Sequence, residues 1–177
     1  MRKLLCILIC TTLLIIFDSG CTPSDLTSGI FEYTRYPASF TATFSSEYGE
    51  VECEVTRNEE MVSLAVKSPE RSSFVSVEIY GKQCVITSPV DDLTMSEEAS
   101  VGLTSVFDLL FRGDEDVVSV KKSSDGLTTV ITYSDGVVTV GEDGLPVAVT
   151  SRAMNGEMRT VRILGYEKIN KHKGSES

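Results

Sequence analysis

Turn-forming pairs recur at short intervals along most of this chain, and each separates two runs in which apolar and polar residues alternate. Tyr48-Gly49, Arg57-Asn58, Ser68-Pro69 and Tyr80-Gly81 punctuate the first half. Between them, Phe40, Ala42 and Phe44 alternate with Thr41, Thr43 and Ser45, and Val51, Cys53 and Val55 with Glu50, Glu52 and Glu54. Successive side chains of a strand project to opposite faces, so this period of two predicts a sheet with one buried face. Val62, Leu64 and Val66 repeat the pattern, as do Val75, Val77 and Ile79, and KQCVIT adds a shorter strand after Tyr80-Gly81. Parallel neighbours need a crossover of a dozen residues or more, so connections this short force antiparallel pairing. The first half is expected to be a meander of about five strands.

The second half returns to hairpins near 117–122, 127–133, 136–141, 145–154 and 157–166. Ser124-Asp125-Gly126, Ser134-Asp135-Gly136, Asp143-Gly144 and Asn155-Gly156 mark the turns. Asn-Gly supplies the two positive φ angles of a type I′ turn. Between the halves, TMSEEASVGLTSVFDLLFRG places Leu103, Val106, Phe107 and Leu110 at helical spacing. Thr94 with Glu97 forms one candidate cap, Ser96 another, and Gly113 stands where a helix ends. The spacing predicts an amphipathic helix near 96–112 with its apolar stripe against the sheet. The fold class is mainly β (α+β), with about ten strands in a single domain over 36–168 and a polar tail at 169–177.

The first residues differ from the rest. Arg2 and Lys3 precede fourteen uncharged residues, Leu4 to Phe17, a length suited to the apolar region of an export signal. A spanning helix needs about 20 apolar residues, and Asp18 interrupts this run. Ser19, Gly20 and Cys21 follow, which resembles the lipobox of bacterial lipoproteins, although Asp18 stands where that pattern usually has Leu. The resemblance implies a signal peptide over 1–20 and acylation of Cys21. It also implies a tether over 21–35 and attachment by lipid to the outer face of the cell membrane. The other reading is an ordinary cleaved signal with Cys21 incidental. Two or more acyl chains bind membrane firmly where one binds marginally.

The net charge of −10 argues against nucleic acid, whose phosphates want clustered Lys and Arg. No catalytic constellation emerges: the single histidine, His172, lies in the polar tail, away from any nucleophile that it would have to serve. Acidic pairs such as Glu59-Glu60, Asp91-Asp92 and Glu97-Glu98 sit at turns and the helix start, where solvated acids ordinarily lie. They lack the spacing of a calcium loop. The sequence therefore assigns no metal, no cofactor and no enzymatic role. Cys53 and Cys84 remain in the mature chain, either as buried thiols behaving as small hydrophobes or as a disulfide pair.

The succession of meander, helix and hairpins behind such a leader resembles the lipoprotein-carrier (Lol) superfamily, which includes the periplasmic carrier, its outer-membrane receptor and an RseB-like sensor regulator. Local echoes are YPASFTATF, KSPERSSFVSVEIYGKQCVI and DGLPVAVTSR. The chain also resembles small extracytoplasmic lipoproteins of single-membrane bacteria. The superfamily implies an incomplete, strongly curved β-barrel whose helices cover an apolar cavity. On that footing Phe40, Phe44, Val75, Val77, Ile79, Phe107, Leu110 and Phe111 either line a cavity for a lipid, acyl chain or other apolar ligand, or fill it. In the second case the chain is a solid interaction or sensing module for another envelope protein.

Overall fold

A computed structural model describes residues 29–46, 49–72, 74–88, 97–152 and 156–169. Ten strands form one antiparallel sheet. In chain order they are β1 (Ala38–Ser46), β2 (Gly49–Arg57), β3 (Val62–Ser68), β4 (Ser76–Tyr80), β5 (Gln83–Thr87), β6 (Val117–Lys122), β7 (Thr128–Tyr133), β8 (Gly136–Gly141), β9 (Pro146–Arg152) and β10 (Met158–Lys168). The helix, α1, spans Glu97–Phe111, within a residue of the expected bounds. Both candidate N-caps, Thr94 and Ser96, lie outside the described residues.

The spatial order is β5-β4-β3-β2-β1-β10-β9-β8-β7-β6. Two five-strand meanders are therefore joined in the middle, where β1 pairs with β10 from Ala38↔Lys168 to Phe44↔Val161. Hairpin chemistry accounts for every other neighbour, but this pairing joins opposite ends of the domain. The outer edges, β5 and β6, are not bonded to each other, so the sheet is curved and open rather than a closed barrel. The chain leaves at one edge, passes through α1, and returns at the other. The curved sheet holds α1 against β8 and β9, and the helix also touches β5.

Alternation sorts residues as the sequence implies: Cys53 and Val55 are buried while Glu52 and Glu54 face water. Val138 and Val140 of β8, Val149 of β9, and Val161 and Ile163 of β10 continue the same inner face. Near the end of β10 the phase changes. Ser39 pairs with Glu167 and Thr41 with Leu164, so β10 carries one extra residue. Such a bulge shifts every later side chain to the other face. Gly165, with φ +61°, takes the backbone conformation that the bulge requires. Tyr166 is thereby aimed inward, where Tyr33, Phe40 and Phe111 already lie.

The domain starts earlier than Tyr36. A 3-10 turn over Glu32–Arg35 buries Tyr33 completely, with Phe31 nearly so beside it. Phe31 and Tyr33, within the 21–35 stretch expected to be a tether, belong to the buried core. Among the described residues no helix is long and apolar enough to cross a membrane.

Candidate functional site

Beneath α1 the space is filled. Six rings make a continuous file along the inner face: Tyr33 on Tyr166 at 6.2 Å, Tyr166 on Phe40 at 5.3 Å, Phe40 on Phe111 at 6.3 Å, Phe111 on Phe107 at 6.4 Å, and Phe107 on Phe44 at 6.5 Å. Leu109 and Leu110 complete the contact and are essentially fully buried. Offset and edge-on ring pairs add roughly 0.5–1.5 kcal/mol each beyond their burial.

Open space lies to its sides. One groove, of about 600 Å³, runs between α1 and the β2–β5 half of the sheet. Val62, Ile79, Phe107 and Phe111 floor it, with Val101 and Thr104 on the helix side and Asn58–Met61 and Gly81-Lys82 on the turns. A second, of about 980 Å³, lies against β1 and β10 and takes Gly102, Leu103 and Val106 from the helix. No residue of α1 lines both.

The first groove has an ordered rim. Asn58 Oδ1 accepts the Glu60 and Met61 amides at 2.9 and 2.8 Å, which fixes the β2–β3 turn. Arg57, the last residue of β2, donates from one terminal nitrogen to the Thr34 carbonyl at 2.6 Å and the Tyr36 carbonyl at 3.5 Å. Its guanidinium carbon lies 4.0 Å from the Phe111 ring centroid. Burial lowers the Arg57 pKa, with Tyr166 and Tyr33 acting against it. At the helix end Arg112 grips Asp135 through two 2.7 Å bonds and Asp108 through one of 2.6 Å. Those hydrogen bonds, the Asp135 ones first, raise the Arg112 pKa and hold the Asp135 carboxyl below its usual range.

The hydroxyls in this groove are engaged. Ser105 donates to the Val101 carbonyl at 2.7 Å, and Thr104 to the Ser100 and Val101 carbonyls at 3.1 and 3.0 Å. A hydroxyl bound back to its own helix is not poised as a nucleophile.

No family model matches the chain, and no curated protein does. Solved structures similar to it include an uncharacterized conserved protein from Thermus thermophilus, with 10% identity and a TM-score of 0.43 over 81% of this chain and 86% of that one. A chain of the Pseudomonas aeruginosa MucA/MucB complex is similar at 13% identity and TM-score 0.43, over 82% of this chain and 56% of that one. A LolA superfamily protein from Nitrosomonas europaea is similar at 10% identity and TM-score 0.43, over 82% and 94%. One of these neighbours thus comes from the superfamily that the sequence resembles.

The eight residues proposed from sequence to line a cavity divide three ways. Ile79, Phe107 and Phe111 line the first groove, and Phe44 the second. Phe40, Val77 and Leu110 are packed core. Val75 precedes β4 rather than belonging to it; its carbonyl accepts the Val66 amide at 3.1 Å, and its side chain is only half-buried. Cys53 and Cys84 are both free. Cys53 lies on β2, level with Val66 of β3, whereas Cys84 lies on β5, level with Ile79 of β4. Three strand spacings amount to about 14 Å, beyond the roughly 7 Å Cα limit of a disulfide. The disulfide alternative is thus not formed. Burial, with Glu52 nearby, pushes the Cys53 thiol up to about 11. Cys21 and His172 lie outside the described residues. Sequence reasoning missed Arg57, which reads as a turn residue until the 3-10 segment packs beside it.

Proposed function

We propose that this chain is an exported, membrane-tethered, non-catalytic protein that holds an acyl chain or similar apolar ligand in the groove between α1 and β2–β5. The observation that carries this reading is the apolar floor of Val62, Ile79, Phe107 and Phe111 under a charged rim. Val62, Ile79 and Phe107 are already buried, so a ligand here would cover chiefly the half-buried Phe111 and the exposed Val101, and about 600 Å³ lies within the usual range of small-molecule sites. The ligand enters beside α1, because the rings fill the space beneath it. Acylation of Cys21 would supply the anchor. Eight residue steps lead from Cys21 to Gly29, a reach of at most about 30 Å. Ala38, where the chain joins the sheet, pairs with Arg57 at the rim. A tethered domain would then present this groove near the bilayer.

Mature protein isolated from a bacterial membrane should release lipid on solvent extraction, detected by mass spectrometry. Protein that carries none and takes up no apolar dye would overturn the binding role. Intact mass tests the anchor separately: a chain beginning at Cys21 without added acyl mass refutes it.

A second reading, contact with another envelope protein, is favoured by β6, an edge strand among the described residues, on which Val118 is 66% exposed. An unpaired edge offers a template for an added strand. Under that reading Val118→Lys abolishes capture of the partner and leaves lipid content unchanged.

A further inference from the structure

We propose that Arg57 is the headgroup site of the groove: its guanidinium receives one anionic group, a carboxylate or a phosphate monoester, at the end of an acyl chain. The proposal rests on the groove reading above and specifies the ligand's chemistry. Among the described residues the acids form ion pairs with Lys67, Arg112, Arg162 and Lys168, and none pairs with Arg57. That is unusual for a half-buried cation in a chain of net charge −10. A desolvated charge is costly unless matched by an opposite one.

The geometry is preset. One terminal nitrogen is tied to the Thr34 and Tyr36 carbonyls, and the guanidinium lies over Phe111. A guanidinium has five N–H donors in a planar fork. The remaining donors have no partner among the described residues, and Arg57 itself lines the groove. A carboxylate or phosphate matches such a fork through two parallel bonds. Phe111, under the guanidinium, also belongs to the apolar floor, so a bound headgroup is continuous with a place for its chain.

The acids of the rim do not cancel this. Asp108 and Asp135 are engaged by Arg112. Glu59 and Glu60 stand exposed on the turn, with Lys82 on the facing one. Exposed charges are screened by salt more effectively than a half-buried one.

The test uses the chain carrying Cys21→Ser, which removes the acylation site and leaves every described residue in place. Binding of palmitate, hexadecyl phosphate and methyl palmitate is measured by calorimetry at about pH 8. Charge-assisted hydrogen bonds imply that at least one of the two anions binds about tenfold or more tightly than the ester. The tighter of the two identifies the source, phosphate-headed lipid or free fatty acid. Arg57→Lys keeps the charge but loses the fork, and should reduce the preference severalfold; Arg57→Met should abolish it while ester binding persists. Equal affinity for ester and anions with Arg57 in place overturns the headgroup site but leaves the groove reading standing. No binding of any of the three overturns both. The comparison of ligands on unsubstituted Arg57 decides the matter even where Arg57→Met fails to fold.

Discussion

Gly165 shows how much can depend on a residue with no side chain. Its φ of +61° makes the bulge, and the bulge turns Tyr166 from the outer face to the inner one. There Tyr166 stacks on Phe40 and donates to the Tyr33 carbonyl at 3.0 Å, joining the N-terminal turn to the last strand. A Cβ at Gly165 would meet no neighbour, so the cost of Gly165→Ala is conformational alone. The left-handed region costs an L-residue roughly 1–2 kcal/mol, and denaturant unfolding should show a loss of that size. A larger loss would mean that the bulge moved and took Tyr166 with it.

At the scale of elements, α1 and β8 meet at Gly136. A Cβ there would overlap the Thr150 carbonyl oxygen and Leu109 Cδ2, so the helix sits directly on the strand backbone. Overpacking typically costs about 1–3 kcal/mol. Gly136→Ala should destabilise by that much, read as a shift in denaturation midpoint with an unchanged slope. Arg112 fastens the end of the same helix to Asp135 beside the β7–β8 turn. Asp135 has a folded pKa below its ordinary 3.8, so the stabilisation is complete above about pH 4 and is lost as pH falls through the lower folded value. Since the Asp135 side chain is 48% exposed, the contribution should stay below about 1 kcal/mol. Denaturation of the chain and of Asp135→Asn should differ by that amount at about pH 6, and the difference should shrink as the pH is lowered below about 4.

Most elements were legible because their signals are local. Alternation in Val51–Val55 and the turn residues, glycine at most turns but Asn58 after β2 and Pro69 after β3, announce the strand pairings within the two meanders, and helical spacing places α1 within a residue of its ends. What escaped depends on contacts between distant segments. Gly136 reads as a turn residue next to Ser134-Asp135, yet its role follows from where Leu109 lands. Leu109 itself lies outside the stripe counted through Leu103, Val106, Phe107 and Leu110, because the helix leans toward β8 and β9. The β1–β10 pairing joins residues about 120 positions apart, and no local pattern announces it. For the groove, the apolar residues were visible as a set. Which of them would be floor and which core was decided by the ring file.

At the scale of the whole molecule, the central position of that pairing has a consequence for connectivity. Ala38 and Lys168 are partners across β1 and β10, and the Ile169 amide donates to the Pro37 carbonyl at 2.8 Å. The two ends of the sheet's chain path therefore leave side by side, from the middle of the sheet rather than from its edges. The order in which the meanders are synthesised is then interchangeable. A circular permutant that links residue 169 to residue 29 through a short glycine-serine segment, and opens between Asp125 and Gly126 on an exposed hairpin tip, should regain the same sheet and the same groove. Its far-ultraviolet circular dichroism and ligand affinities should match those of the parent. The first and last strands are already neighbours, so the break in the chain can move to a hairpin tip without separating any pair of strands.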